Sequence, residues 1–464
     1  MTTSTFFGLE LSLRAMQAQQ AGLDTTSHNV ANANTKGFSR QSVVLEPTTP
    51  FMLPAFNRLQ QAGQLGTGVA AVTIERARDL FLDVQYRTQD GLQHQAQMTQ
   101  QALEQIEVVL NEPSDYGLSA QLGAFFNAWQ ELANDPSSAG ARGSLLQAAS
   151  ALTAGFNRAA QQLSALQTDL NDQVQARVTE INDLANQLVA LNKQVVQAES
   201  VGQRANDFRD QRDLALDRLA EIVPITVNEN ADGSLTVLLG GQALVQGNTV
   251  DPLVTTPTGP NGAWEVRFAS NNALVSASAG ELRGLLDARD QTVPSYLNEL
   301  DTIASNLITA VNGLHSAGYG QDGVTGRAFF TGTDAATIAV DPAVASNPQA
   351  IAAASASNAP GDNRTALAIA QLRQSMSPSP EEAFGALIAR LGQEAKAASD
   401  LATNQGALVQ LLDRRRQEVS GVSLDEEAVQ MLRYQKAYEA AARVLTAYDQ
   451  MLDRLINDTG IVGR

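Results

Sequence analysis

The sequence predicts a mainly α-helical chain with a small β domain: terminal helices forming a coiled coil, a long helical bundle, and an inserted β-rich distal domain. Three patterns within its 464 residues predict this. The N-terminal end sets its apolar residues on one heptad seam and the C-terminal end alternates gaps of three and four, a long central stretch keeps a similar seam, and one internal stretch switches to a period of two. The first spacing marks a coiled-coil seam and the last marks strands.

At the N-terminal end Leu9, Leu13, Met16, Leu23 and Val30 share one seam; at the other end Met431, Tyr434, Tyr438, Ala441, Leu445, Tyr448, Leu452 and Leu455 keep it without a miss. Burying eight such side chains yields roughly 1.5–3 kcal/mol each. Ordering about 25 backbones costs roughly 1–2 kcal/mol per residue before hydrogen bonding returns part of it. A lone terminal helix is therefore expected to fray, and order arrives with a partner: the other terminus, a neighbouring copy, or a chaperone.

Between the ends the elements follow in order. Helix runs from Phe6 to about Asn34 and is ended by ANANTKG, where Gly37 is expected to take the left-handed conformation that closes it. Residues 38–75 lose helical periodicity; Pro47, Pro50, Pro54, Gly63, Gly66 and Gly68 punctuate a linker before the β-like VAAVTI. Helices follow over about 78–110 and 118–133, stopped by NEPSDYG and NDPSS. Leu152, Phe156, Leu163, Leu166, Leu170, Val174, Ile181, Leu184, Leu188, Leu191 and Val195 then predict the longest helix, with a slip near Arg177.

After residue 223 the period becomes two. ITVNENADGSLTVLLGGQALVQG reads as a hairpin turning at Asp232-Gly233, and DPLVTT and AWEVRFAS add strands. Helix returns from Glu281 to about His315, a Gly-rich stretch with short strands occupies about 318–341, and further helices cover about 364–376 and 381–418. The expected domains are 1–50 with 421–464 as the terminal coiled coil, 51–75 as linker, 76–223 with 281–420 as the bundle, and 224–280 as the β domain.

A formal net charge of −18 argues against binding a nucleic-acid backbone, which needs clustered cations. With zero cysteines the chain has no thiolate metal site, thiol nucleophile or disulfide. No basic segment followed by an apolar core, and no run of 18 apolar residues, is readable, so neither a cleaved signal nor membrane insertion is expected.

Enzyme-like signals fail on their context. Gly66-Thr67-Gly68 with Ala71 is preceded by a Pro-rich stretch and followed by a β-like run, not a helix, so it reads as a bend. Asn228, Asn230, Asp232 and Gly233 imitate half a calcium loop, but its twelfth position is Leu239. Asp207, Asp210 and Asp213 are interleaved with Arg209, Arg212 and Arg218 and are expected to form a salt-bridged solvent face. His28, His94 and His315 read as surface or packing residues, and Arg414-Arg415-Arg416 as a solvated helix end. No catalytic, cofactor-binding or metal-binding residue is expected.

SHNVANANTKGFSRQ (27–41) resembles the N-terminal signature of bacterial flagellar axial proteins of the rod, hook and hook–filament junction. LGTGVAAVTIERARDLFLDVQYR (65–87), DQRDLALDRLAEIVPITV (210–227) and GVSLDEEAVQMLRYQKAYEAAARVLTAYDQMLDRLIN (421–457) are similar to the hook-associated protein 1 family. Within the last, Ser423 and Glu426 are expected to form a capping box.

The resemblance implies a non-enzymatic structural subunit that forms a junction ring with copies of itself and contacts hook protein and the next hook-associated junction protein. It also implies a cytoplasmic export chaperone on the C-terminal helix, about Leu424–Leu455, type III export without a cleaved signal, and an extracellular place in the flagellum. The assembly residues are then the seam positions together with Asn32. A rod or hook subunit, a secreted membrane-interacting translocator, and an enzyme carried on a flagellar scaffold are the competing readings.

Overall fold

The computed structural model describes residues 6–50 and 66–458. Most of the expected linker (51–65, with Pro54 and Gly63) and the ends of the expected terminal domain (1–5 and 459–464) lie outside the described residues.

Helix α1 (Phe7–Asn32) ends sooner than its Asn-rich tail suggests: Ala33 caps it, and Gly37, at φ +84°, serves the turn that follows. Asn32 donates to His28 O at 3.1 Å, bonding back within its own last turn. The chain then forms β1 (Gln41–Pro47), which pairs antiparallel with β2 (Val69–Arg76) through a bulge at Val44/Leu45. Strand β1 lies in a stretch read from sequence only as losing helical periodicity ahead of the β-like VAAVTI. Its Val43-Val44-Leu45 run suits a strand, but the partner is more than 20 residues away and no local turn announces it.

Helices α2 (Leu80–Leu110) and α3 (Leu118–Asn134) precede α4 (Ala139–Ser200), a rod of 62 residues and so about 93 Å long. Asp79 caps α2 by accepting from Phe81 N, and Ser138 caps α4 by accepting from Ala141 N. Along α4 the predicted seam is buried except at Leu184, where Ala185 takes the inner position beyond the slip near Arg177.

Helix α5 (Asn206–Ile222) leads into β3 (Ile225–Glu229), β4 (Leu235–Leu239), β5 (Gln242–Gln246) and β6 (Thr249–Val250), which form an antiparallel sheet in chain order. A separate pair joins β7 (Leu253–Thr256) to β8 (Glu265–Phe268). Asp232 accepts from the Ser234 amide and hydroxyl, so the calcium-like residues close a hairpin. The strands dock along α4 through two asparagines. Asn192 exchanges hydrogen bonds with Leu235 and also donates to Gly247 O, while Asn182 exchanges them with Leu253. Each amide supplies the donor–acceptor pair a neighbouring strand would offer.

Helix α6 (Gly280–Asp287) continues through a π turn into α7 (Val293–Ala317). Short β9 (Phe330–Thr331) and β10 (Ala339–Val340) pair, and α8 (Pro342–Ser346), α9 (Arg364–Ser375) and α10 (Pro380–Ser420) return the chain along the bundle. Helix α11 (Leu424–Asp453) then runs against α1.

Ser379 and Glu382 form the complete capping box at α10. At α11 Ser423 accepts from Glu426 N at 3.5 Å, but the Glu426 carboxylate turns to Arg40 instead, at 2.9 Å, leaving the expected box half formed.

One apolar core joins α4, the C-terminal half of α2, α3, α5, the β3–β8 strands, α6, α7, α9 and the first half of α10. Among the described residues it includes none from α1 or α11. The bundle and the β strands thus share a core, and the terminal pair is built outside it.

Candidate assembly interface

The packing of α1 on α11 starts from small residues. Gly8, Ser12, Ala18, Gly22, Thr25, Thr26 and Asn29 are the buried positions of α1 and fall on one side of the helix. A Cβ at Gly22 would fall 2.6 Å from the Tyr434 ring, and one at Gly8 would fall 2.3 Å from that of Tyr448. The glycines thus let two predicted seam tyrosines of α11 lie against the α1 backbone. Strand β2 rests on the same helix: Arg14 donates to Thr67 O at 3.2 Å, beside Gly68, where a Cβ would meet Leu11 at 3.0 Å.

The large apolar residues predicted as the α1 seam occupy the adjacent side. Leu9, Met16, Leu23 and Asn32 are half-buried, and Leu13 and Val30 remain 49% and 38% exposed. On α11, Met431, Tyr434, Tyr438, Ala441, Leu445 and Leu452 are half-buried, while Tyr448 and Leu455 are exposed. Leu9, Leu13 and Leu445 meet with Phe6 in a groove of about 420 Å³ between the two helices. Val429, Leu432, Val444 and Met451 of α11 are exposed as well. Exposed apolar residues of this kind on paired helices are the pattern of surfaces that pack on further helices.

Where the terminal pair meets the bundle, polar side chains take over. Asn29 Nδ2 donates to Gln41 O and to Glu427 Oε2, and Asn29 Oδ1 accepts from Gln41 N. Arg40 N donates to Ser420 O, beside the Arg40–Glu426 pair.

Next to this lies a buried ion network that corrects two sequence expectations. Asp210 and Asp213 do not form a solvent face; both are buried. Their cations are not the interleaved arginines but Arg76 and Arg78 from β2 and its following turn, with Arg87 of α2 on Asp213. Arg209 pairs instead with Glu199 and Glu229, and Arg212 donates to Asn192 and Gly233 O. Arg416 is no solvated helix end: it pairs with Asp83 and Asp217 and lies 4.4 Å from the centre of the Tyr86 ring. Periodicity within α5 could not reveal partners more than a hundred residues away.

Burial would push the Asp213 carboxyl up, yet Arg78, Arg76 and Arg87 outweigh it and hold the group at about 2. At Asp210 burial outweighs Arg76, and the carboxyl is raised above its ordinary value. The ion network links β2, α2, α5 and α10.

The chain matches three families. Residues 103–330 match the flagellar hook-associated protein FlgK helical domain, residues 414–458 the flagellar basal body rod FlgEFG protein C-terminal region, and residues 9–38 the flagella basal body rod protein. Flagellar hook-associated protein 1 of Bacillus subtilis strain 168 is 36% identical, with all of both chains covered. Its counterpart from Salmonella typhimurium strain LT2 is 26% identical over 96% of this chain and 98% of its own. In fold, the flagellar hook junction protein FlgK from Burkholderia pseudomallei superposes with a TM-score of 0.64 at 18% identity, over 73% of this chain and all of that one. The terminal matches fall on the α1 and α11 pair and the long internal match on the bundle and its β strands; this chain belongs to the flagellar hook-associated protein 1 family and is a structural component of the bacterial flagellum.

Proposed function

We infer that the chain is a non-enzymatic structural subunit of the junction between hook and filament, and that it assembles by folding its two ends together against neighbouring copies. The observation that carries this reading is the exclusion of α1 and α11 from the core while both keep exposed apolar residues. In the separate subunit the terminal pair is held by small-residue contacts, by its half-buried seam residues and by the Asn29–Glu427 joint, and the apolar area still exposed is left for the assembly. The terminal coiled coil would form the inner layer, and the bundle with its strands the outer wall.

Copies of the same chain in a ring, hook protein on one side and the next hook-associated junction protein on the other are the partners this reading requires. Before assembly the exposed apolar residues of α11 need covering, which an export chaperone on the C-terminal helix would supply. Export through the flagellar type III channel and an extracellular position in the flagellum complete the reading; no helix among the described residues is long and apolar enough to cross a membrane.

Deleting residues 425–464 should leave a central region with unchanged cooperative unfolding that cannot join the junction, seen as loss of attached filaments and of motility. Normal incorporation of that truncation would overturn the reading. Leu13→Asp with Val429→Asp should keep the monomer folded and still abolish assembly, separating interface from stability.

A further inference from the structure

His94, a packing or surface residue by sequence, sits where three helices converge. Gly91 brings α2 so close to the end of α5 that a Cβ there would meet Ala220 O at 2.9 Å, and Gly280, at φ +88°, brings the start of α6 against Ile222 O. The neighbours of these contact points are His94, Glu221 and Glu281. One ligand atom from each lies within 4.8 Å of the others, with His94 Nε2 3.8 Å from Glu221 Oε2.

His94 Nδ1 lies 2.9 Å from Asp90 O, one turn back on α2. That contact places the ring proton on Nδ1 and leaves the Nε2 lone pair facing the carboxylates, the orientation a metal-bound imidazole needs. Asp90 itself is only 3% exposed, and its Oδ1 lies 3.5 Å from the same ring nitrogen while Oδ2 has no hydrogen-bond partner.

Charge is also unbalanced. Asp90, Glu221 and Glu281 face the imidazole, Arg177 and Arg218 pair with the two glutamates and with Glu180 behind them, and Arg416 and Asp217 act on Asp90 from the other side. Arg218 also holds Glu180 at 2.6 Å and Arg177 also holds Glu180 at 2.6 Å, so each keeps a carboxylate if Glu221 or Glu281 turns away.

We propose that His94, Glu221 and Glu281 form a binding site for one divalent first-row transition metal ion, of which zinc is the representative, with Asp90 orienting the imidazole. One imidazole and two carboxylates, with a remaining position for water, make a donor set that suits zinc. Donors in tetrahedral zinc sites lie roughly 3.4 Å apart at bond lengths of about 2.0–2.1 Å, so the side chains need to close by about 1 Å. The ion would clamp α2, α5 and α6 together and offset the local excess of negative charge.

The test is titration of the full chain with zinc chloride near neutral pH, in a non-coordinating buffer after chelator treatment. One saturable site with a Kd of order micromolar and a rise in Tm are expected. His94→Gln should weaken binding at least tenfold, whereas His28→Gln should not. Glu221→Gln is the second variant, used if His94→Gln changes the circular dichroism spectrum. The proposal fails if no saturable site is found below about 1 mM, or if both ligand variants bind zinc as the unsubstituted chain does.

Discussion

Asn29 Nδ2 donates to Glu427 Oε2 at 3.0 Å, joining positions 398 residues apart where α1, β1 and α11 meet. The same amide exchanges two hydrogen bonds with the Gln41 backbone. Asn29 therefore reports to the start of α11 whether the N-terminal helix and its strand are in place. Glu427, itself buried, has its acceptor satisfied only when they are.

Replacing Asn29 by Asp removes both donated bonds and sets a carboxylate against Glu427. A buried acceptor left unpaired costs about 1–3 kcal/mol, more for a charged group. Asn29→Asp should accelerate amide hydrogen exchange in the first turns of α11 by at least tenfold while leaving α4 protected. Equal exchange in variant and parent would show that the joint does not hold α11.

The two glycines of α1 should respond differently to the same change. At Gly8 a new Cβ meets the far end of the Tyr448 ring, which can swing away; at Gly22 it meets Cγ, Cδ1 and Cε1 of Tyr434, so the whole ring must move. Ala gains about 1 kcal/mol of helix propensity over Gly, against an overpacking cost of about 1–3 kcal/mol. Gly8→Ala should be neutral or stabilising and Gly22→Ala should loosen the pair, measured by limited proteolysis of the termini. Tyr434→Ala in the Gly22→Ala background should recover part of the loss, and additive effects would argue against their contact.

The helices were legible from sequence because their signals are local: the α4 seam, the NEPSDYG and NDPSS stops, and the switch to period two after residue 223 each lie within one window. The terminal helices were legible too, but the buried face of α1 is not the one its large apolar residues mark. Gly8 and Gly22 lie on the side of α1 that touches α11, and a search for large apolar residues passes over glycine. The ion network was least legible, since Asp213 finds Arg76, Arg78 and Arg87 only after β2 and α2 have packed on α5. A charged residue inside a helix gives no local sign that its partner is on another element.

Asp213 also makes a pH prediction. Its folded pKa of about 2 is below the ordinary 3.8, so its contribution is fully present above the ordinary value and is lost as pH falls toward about 2. Asp213→Asn leaves buried guanidiniums underpaired and should cost about 3–5 kcal/mol at neutral pH by urea denaturation. The gap between parent and variant should narrow below the ordinary carboxylate pKa. A gap that stays constant down to acid pH would show that the network does not depend on the Asp213 charge.

His315 gives the complementary case, in which a base must stay neutral. Its Nδ1 donates to Arg327 O at 2.8 Å, its Nε2 accepts from Ala352 N at 3.0 Å, and Trp129 and Phe329 close around the ring. A proton on Nε2 would face an N–H and have nothing to donate to. Burial lowers the pKa from its ordinary 6.5. The unfolded chain therefore takes up a proton first as pH falls, and this part of the stability, complete above 6.5, is lost on the way down to the folded pKa. The loss is about 1.4 kcal/mol per pH unit while only the unfolded state is protonated. His315→Gln can keep one donor and one acceptor without titrating. Between about pH 7 and about pH 5 the parent should lose stability relative to this variant, and parallel curves would mean that His315 accepts its second proton in the folded protein.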